Sequence, residues 1–185
     1  ASGGPFYACT PEQLERVTPA DALRHPTWKM GAKITIDSAT LLNKGFEVIE
    51  AKWLYGAPLQ KIHTLVQPES IVHSMVEFED GAVLAQLSYP SMELPIQLAL
   101  TYPERLDCGL DFLDFEKLGN IRFLPLERKR FPCYDLALSA AESGEVSGIM
   151  RQYRKRTVRF YLWNGIISAV ICLLNFWYMS VFIVV

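Results

Sequence analysis

The pattern of apolar and polar residues changes at Ser38, about one fifth of the way along the chain. From that point apolar residues recur at spacings of three and four, which predicts an amphipathic helix. Its apolar positions are Leu42, Phe46, Ile49 and Trp53. The preceding residues, Lys33–Asp37, alternate polar and apolar and predict a strand. Asp37 or Ser38 is suited to cap the helix.

Short apolar runs separated by turn residues predict a sheet in the middle of the chain. The predicted strands are Ile62–Val66, Ser70–Phe78 and Ala82–Ser88. Asp80 and Gly81 between the last two strands have the composition of a tight hairpin turn, so this pair should be antiparallel.

Prolines mark the boundaries of the next elements. Pro90 and Pro95 predict a loop, and a short helix over Ile96–Thr101 should end before Pro103. Cys133–Ala141 predicts one more helix. Together the elements indicate an α+β fold, in which a mixed sheet is covered by helices.

Charge divides the chain into an acidic body and a basic segment. All 20 acidic residues precede residue 151 of this 185-residue chain. The acidic body argues against general nucleic-acid binding. Five basic residues lie within nine positions, namely Arg151, Arg154, Lys155, Arg156 and Arg159.

The four cysteines lack a paired metal-ligand spacing, so we interpret them as reduced thiols and expect no zinc site.

The last 26 residues, 160–185, contain no charged side chain. A run of this length and composition can span a bilayer as a helix, and the basic cluster before it would stay on the cytoplasmic side. Taken alone, the segment would be interpreted as a membrane anchor.

Three polar side chains cluster near the start of the predicted helix. Asn43 and Glu47 are four residues apart and Lys44 and Glu47 are three apart, which places an amide, an ammonium and a carboxylate on one side. Such a group could hold a phosphorylated, metal-chelating substrate. The alternative is a surface ion pair, worth less than ~1 kcal/mol.

Four motifs in order resemble the 1-deoxy-D-xylulose 5-phosphate reductoisomerase family. They are ASGGPF from Ala1, HPTWKMG from His25, DSATLLNKGFEVIEAKWL from Asp37, and SIVHSMVEFEDGAVLAQLSYPSMELPI from Ser70. The resemblance covers residues 1–147 and implies the mixed-sheet catalytic domain of that family. It implies an NADPH-dependent, Mg²⁺- or Mn²⁺-requiring cytoplasmic enzyme, a homodimer when complete, that converts a sugar phosphate to 2-C-methyl-D-erythritol 4-phosphate.

The chain has no strand-Gly-x-Gly-x-x-Gly-helix unit for a dinucleotide. The resemblance to the family implies that the Rossmann-type NADPH domain is missing from this chain. It also implies that two of the three metal-binding carboxylates lie upstream of Ala1. On this interpretation the chain is a fragment that is inactive by itself.

The resemblance assigns roles to individual residues. It implies that Glu47 binds the metal and that Glu47, Lys44 and His25 are the catalytic residues. Gly31 and Met92 are implied to lie near the cofactor. The implied substrate-binding residues are Ser2, Gly3, His25, Trp28, Ser38, Asn43, Lys44, Glu47 and Ser70.

Several of these residues also have an ordinary structural interpretation. Ser2 and Gly3 suit a simple turn, and Ser38 suits a helix cap as well as an anion site at a helix N-terminus. Glu50 either supports the metal ligand or is a solvated glutamate. Ser70 and His73, three apart on a predicted strand, should point to opposite faces, so only one should enter the pocket.

The sequence departs from the family in two places. Gln67-Pro68-Glu69 stands where His-Pro-Gln is usual. From about Glu145 or Met150 onward the family pattern is lost, so residues 148–185 form an atypical basic and apolar tail in place of the C-terminal helical domain. A shifted reading frame or misassembled gene would explain the tail, as would a true anchor or a divergent buried helix.

A membrane location is not expected, because the implied substrate and cofactor are soluble. Two other functions stay open on the sequence. One is a non-catalytic sugar-phosphate-binding module, and the other is a membrane-tethered protein.

Overall fold

The computed structural model describes residues 1–143 and 182–184. Its helices are α1 (Pro11–Leu14), α2 (Pro19–Ala22), α3 (Ala32–Ala39), α4 (Leu42–Tyr55), α5 (Glu93–Thr101), α6 (Phe115–Leu118) and α7 (Pro132–Ser143), with 3₁₀ turns at Leu59–Lys61 and Arg128–Arg130. Its strands are β1 (Ile62–His63), β2 (Leu65–Val66), β3 (Val72–Glu77), β4 (Val83–Leu87), β5 (Leu124–Pro125) and β6 (Phe182–Val184). This mixture of helices and strands agrees with the predicted class.

The larger sheet has the strand order β1-β6-β3-β4. Strands β3 and β4 are antiparallel, with Met75 opposite Ala85. The hairpin turn between them is the predicted one, since Gly81 has a φ of 84° and Asp80 accepts a hydrogen bond from the Ala82 amide. Strand β6 lies parallel to β3 and antiparallel to β1, and a separate antiparallel pair joins β2 to β5.

The main core lies where α4 packs against α7 and β1. Gly45 permits this packing, because a Cβ at its position would lie 2.5 Å from the Cβ of Ala137. Tyr134 adds a buried hydrogen bond to Thr64. The buried members of the core are Ala1, Leu41, Val48, Ala51, Ile62, Phe131 and Tyr134.

The predicted strand over Lys33–Asp37 is wrong, because these residues belong to helix α3. An alternation of five residues is too short to exclude a helix. In the helix the Lys33 ammonium lies 2.5 Å from Asp37, which is four residues later. The predicted caps of α4 are wrong as well, since its N-cap is Leu41 in the left-handed conformation with a φ of 54°.

Two other boundaries differ from the prediction. Helix α5 begins at Glu93, so Pro95 lies in its first turn rather than in a loop. Proline is tolerated there because first-turn amides need no partner inside the helix. The helix ends at Thr101, before Pro103, as predicted.

The predicted apolar helix over 160–185 is not supported. Its described part, Phe182–Val184, is strand β6, and the rest lies outside the described residues. Among the residues that the structure describes, no helix has the length and apolar character needed to cross a membrane.

Candidate functional site

A cavity of about 260 Å³ lies between the loop before α3, helices α3 and α4, and the start of β3. It collects side chains from widely separated parts of the sequence. The predicted site residues that line it are Ser2, His25, Trp28, Ser38, Asn43, Lys44, Glu47, Ser70 and Met92. Gly3 and Gly31 are not among the lining residues: Gly3 packs on Tyr7, and Gly31 is the N-cap of α3.

The N-terminal loop reaches the cavity because two glycines let it approach α3 closely. Gly3 and Gly4 have φ values of 86° and 65°, which favour glycine. A Cβ on Gly4 would lie 2.6 Å from the Ser38 carbonyl oxygen. This approach places Ser2 and Ser38 on a common wall of the cavity. Ser38 lies near the end of α3, so its predicted place at a helix N-terminus is wrong.

His25 is held in one tautomer by the backbone. Its Nδ1 accepts hydrogen bonds from the amides of Thr27 and Trp28, at 3.1 and 2.9 Å. The ring proton is therefore on Nε2, which lies 3.2 Å from the Ser2 hydroxyl oxygen. Burial lowers the pKa of His25, which favours this neutral form.

Trp28 forms a wall of the cavity next to two residues from another part of the chain. Its indole Nε1 donates to the Ser70 hydroxyl oxygen at 3.3 Å. Its ring meets the His73 ring edge to face, at 6.5 Å between centroids. The loop and the start of β3 are thus joined across the cavity.

The expectation that only one of Ser70 and His73 enters the pocket is wrong, since both line the cavity. Ser70 precedes β3 and has a φ of 55°, so strand alternation does not apply to it. His73 is buried and its Nε2 donates to the Ser88 carbonyl at 3.0 Å. Burial lowers the pKa of His73 to about 4, although the Ser88 hydrogen bond opposes this shift.

Two ion pairs line the helical wall of the cavity. The Lys44 ammonium lies 2.7 Å from Glu47; the Lys44 side chain is buried, with 6% of its surface exposed, and that of Glu47 is mostly buried, with 14% exposed. The pair is therefore not a solvated surface pair. The second pair joins Lys33 to Asp37, whose side chain is 3% exposed. Interpreting Lys33–Asp37 as a helix would have revealed this second pair from the sequence.

Glu50 and Asn43 each carry a buried oxygen atom, and both residues line the cavity. Among the described residues, neither Glu50 Oε2 nor Asn43 Oδ1 has a hydrogen-bond partner. Burial raises the pKa of Glu50 to about 7, Glu47 adds to this effect, and Lys44 opposes it. A ligand that donates hydrogen bonds or carries positive charge would satisfy these atoms.

The donors of this wall fit part of a divalent-cation site. Carboxylate and amide oxygens are the ligands that Mg²⁺ and Mn²⁺ prefer. Glu47 and Glu50 are one helical turn apart in the cavity wall. No group of three His, Cys, Asp or Glu residues arranged to hold a metal occurs within residues 1–143 and 182–184. The described residues therefore offer part of a coordination shell.

Two family models match the chain. The model described as 1-deoxy-D-xylulose 5-phosphate reductoisomerase C-terminal domain matches residues 1–55. The model described as DXP reductoisomerase C-terminal domain matches residues 87–152. Between them they cover more than half of the chain. The chain belongs to the 1-deoxy-D-xylulose 5-phosphate reductoisomerase family.

Curated reductoisomerases are similar over most of the chain but are much longer. The Bacteroides fragilis reductoisomerase is 56% identical over 144 residues, which are 78% of this chain and 37% of that protein. The Caldanaerobacter subterraneus subsp. tengcongensis reductoisomerase is 51% identical over 168 residues, 90% of this chain and 44% of that protein. The chain thus spans about two fifths of these relatives, and the longer match continues beyond residue 147.

Solved reductoisomerase structures share the fold. One, a complex with NADPH, fosmidomycin and magnesium, has a TM-score of 0.73 and 45% identity, and covers 77% of this chain and 35% of that chain. The Zymomonas mobilis enzyme in complex with NADPH has a TM-score of 0.71 and 44% identity, over 78% of this chain and 36% of that chain. At these identities the likeness extends beyond the fold to the family.

Proposed function

We propose that this chain is the substrate- and metal-binding segment of a 1-deoxy-D-xylulose 5-phosphate reductoisomerase. The observation that supports the proposal is the cavity, which brings nine of the residues implied by the resemblance together. These residues come from five places between Ser2 and Met92. Their convergence is the arrangement that a polar, phosphorylated substrate requires.

The proposed roles follow from the chemistry of the side chains. Ser2, Ser38, Asn43 and Lys44 bind the phosphate and hydroxyl groups, since they provide hydroxyl, amide and ammonium donors. Trp28 covers the bound carbon chain and excludes water, and its loop supplies His25 as a hydrogen-bond donor. Lys44 holds the Glu47 carboxylate at 2.7 Å in the orientation seen in the cavity wall.

Glu47 is the proposed metal ligand, with Glu50 and Asn43 beside it. In the whole enzyme the bound Mg²⁺ or Mn²⁺ supplies Lewis-acid stabilisation of negative charge on substrate oxygens, and NADPH supplies the hydride. The remaining carboxylate ligands and most of the NADPH site belong to parts of the enzyme that this segment does not cover. Met92 is proposed to lie near the nicotinamide, and Gly31 to position the loop beside it.

The remaining features are also proposals. Residues 1–147 form the catalytic unit, residues 148–185 replace the C-terminal helical domain, and the segment alone lacks activity. The whole enzyme is a cytoplasmic homodimer that acts away from the membrane. The solubility of the proposed substrate supports this location.

A chimeric enzyme tests the proposed function. The 144 residues of this chain that match the Bacteroides fragilis reductoisomerase, at 56% identity, replace the corresponding residues of that enzyme. The chimera is assayed with 1-deoxy-D-xylulose 5-phosphate, NADPH and Mn²⁺. We expect substrate-dependent NADPH oxidation. A folded chimera that binds NADPH but neither binds nor converts the substrate would contradict the proposal, whereas binding without turnover would favour a non-catalytic sugar-phosphate module.

Two variants of the chimera separate the proposed roles. Glu47→Gln should lower kcat by orders of magnitude, and the exposed Glu116→Gln should leave it unchanged. Lys44→Ala should weaken substrate binding by ~2–3 kcal/mol, the size of a hydrogen bond to a charged group, with little change in NADPH affinity. Equal losses for both ligands would indicate that Lys44 has only a structural role.

A further inference from the structure

Gln67 is a buried polar residue that does not line the cavity, with 2% of its surface exposed. Its Oε1 accepts hydrogen bonds from the amides of Ile71 and Val72, at 2.7 and 3.3 Å. Its Nε2 donates to Glu69 Oε2 at 2.5 Å. Its backbone carbonyl accepts the Ser70 amide at 3.1 Å. Gln67 therefore holds residues 67–72 in one turn by four hydrogen bonds.

This turn holds Ser70 in an unfavourable backbone conformation. Ser70 has a φ of 55°, in the left-handed region that is unfavourable for a residue other than glycine. Such a conformation persists only where the surroundings impose it. In this conformation the Ser70 hydroxyl accepts the indole N–H of Trp28 at 3.3 Å. The turn thus determines where the acceptor for the indole lies.

The turn is also braced from outside. Arg122 donates from Nε to Glu69 Oε1 at 2.5 Å, and its side chain is 60% exposed while that of Glu69 is 23% exposed. Burial raises the pKa of Glu69, but the hydrogen bonds and charge of Arg122 outweigh burial and lower it overall. Glu69 is therefore a carboxylate at neutral pH, which suits it to accept from both Gln67 and Arg122.

We propose that Gln67, braced by Glu69 and Arg122, is a positioning residue that sets the orientation of the Trp28 indole over the cavity by fixing Ser70. The inference deepens the proposed function, because it names the residue that determines one wall of the substrate cavity. Gln67 acts at a distance, since only Ser70 and Trp28 of this group line the cavity.

The test follows the indole N–H of Trp28 in the full chain by ¹⁵N NMR, without substrate or cofactor. Trp28→Phe identifies the signal, and Trp53, which is 75% exposed, serves as the internal reference. Gln67→Glu places two carboxylates together and removes the Nε2 donor. We expect the Trp28 indole signal to shift and its N–H to exchange with solvent about fivefold faster, which corresponds to ~1 kcal/mol of hydrogen bonding. Trp53 should not change.

The double variant Gln67→Glu/Glu69→Gln is the decisive measurement. It reverses donor and acceptor between the two side chains, and the residue at 67 still accepts from the amides of Ile71 and Val72. The parent Trp28 signal and exchange rate should return. Failure of the double variant to restore them would overturn the proposal, as would equal changes at Trp28 and Trp53 in the single variant.

Three further variants keep the test valid if Gln67→Glu does not fold. Ser70→Ala should release the indole directly, and Arg122→Ala should move the Trp28 signal by a smaller amount in the same direction. The exposed Gln60→Glu should have no effect. An effect of Ser70→Ala together with none of Arg122→Ala would contradict the proposed bracing. Because no substrate is used, the outcome is independent of the chimera assay.

Discussion

Helix α4 has two buried faces that are stabilised in different ways. On the face toward α7, Val48 and Ala51 are 1% and 0% exposed, and Gly45 allows close contact. On the face toward the cavity, buried Lys44 forms an ion pair with the mostly buried Glu47. The first face depends on shape, which a ligand does not change. The second depends on charge, which protons, cations and other ligands can change, so stability and chemistry are located on adjacent faces of the same helix.

The largest effect is expected on the apolar face. Gly45→Ala should lower the free energy of unfolding by about 2 kcal/mol, because overpacking outweighs the gain in helix propensity. The double variant Gly45→Ala/Ala137→Gly moves the glycine to the facing helix and should return close to the parent value. Urea denaturation of the full chain measures both. A stable Gly45→Ala variant would show that this face is not closely packed.

Loss of the ion pair on the cavity face should lower the free energy of unfolding by a smaller amount. Lys44→Met removes the ammonium that pairs with Glu47 and should lower the free energy of unfolding by about 1.5 kcal/mol, less than for a fully buried pair because the cavity admits water. Lys44→Met/Glu47→Leu should recover most of this loss. Urea denaturation of the full chain measures the free energy of unfolding of both variants. If the double variant is as unstable as the single one, the pair contributes through packing rather than charge.

The cavity face should also depend on pH, in contrast to the apolar face. The pKa of Glu50 in the folded state, about 7, exceeds its ordinary value of 4.5. The contribution of Glu50 to the free energy of unfolding is therefore fully present below pH 4.5 and is lost as pH rises through about 7. Glu50→Gln removes this dependence, so its free energy of unfolding relative to that of the parent should rise by about 1 kcal/mol from pH 4 to pH 8. This value is reduced for solvent screening.

Denaturation series at several pH values, with a chelator present, measure the Glu50 effect. The exposed Glu116→Gln variant serves as the control and should follow the parent at every pH. A constant difference between Glu50→Gln and the parent would show that the Glu50 carboxyl titrates normally.

The smallest effect is expected at the solvent side of α4. Trp53 is 75% exposed and its ring lies 5.9 Å from the Lys52 ammonium. Trp53→Ala should change the free energy of unfolding by only about 0.5 kcal/mol, the scale of an exposed cation–π contact. A loss as large as that of Gly45→Ala would mean that Trp53 is buried in solution, and the contrast between the faces of α4 would then be incomplete.

Regular spacing made part of this molecule predictable. The 3–4 periodicity after Ser38 predicted helix α4, and residues three and four apart on a helix must share a side, so Lys44 and Glu47 were placed together correctly. Asp80 and Gly81 predicted the hairpin because few residues suit such a turn.

Irregular backbone was not predictable in the same way. The left-handed conformations of Leu41 and Ser70 have no signal in residue type, since neither is glycine. Leu41 determines where α4 begins, and Ser70 brings its hydroxyl into the cavity beside His73. Tertiary contacts impose both conformations, and a linear pattern does not contain those contacts.

The single tautomer of His25 gives the hydrogen bonds at one end of the cavity a direction. The amides of Thr27 and Trp28 donate to Nδ1, and Nε2–H donates in turn to the Ser2 oxygen. With its oxygen engaged as an acceptor, Ser2 has its own hydrogen available toward the cavity. Backbone dipoles are thus relayed through an uncharged ring to a hydroxyl donor, which gives this end a positive polarity that does not depend on any ionised group. A dianionic phosphate would meet a donor there at any pH at which His25 stays neutral.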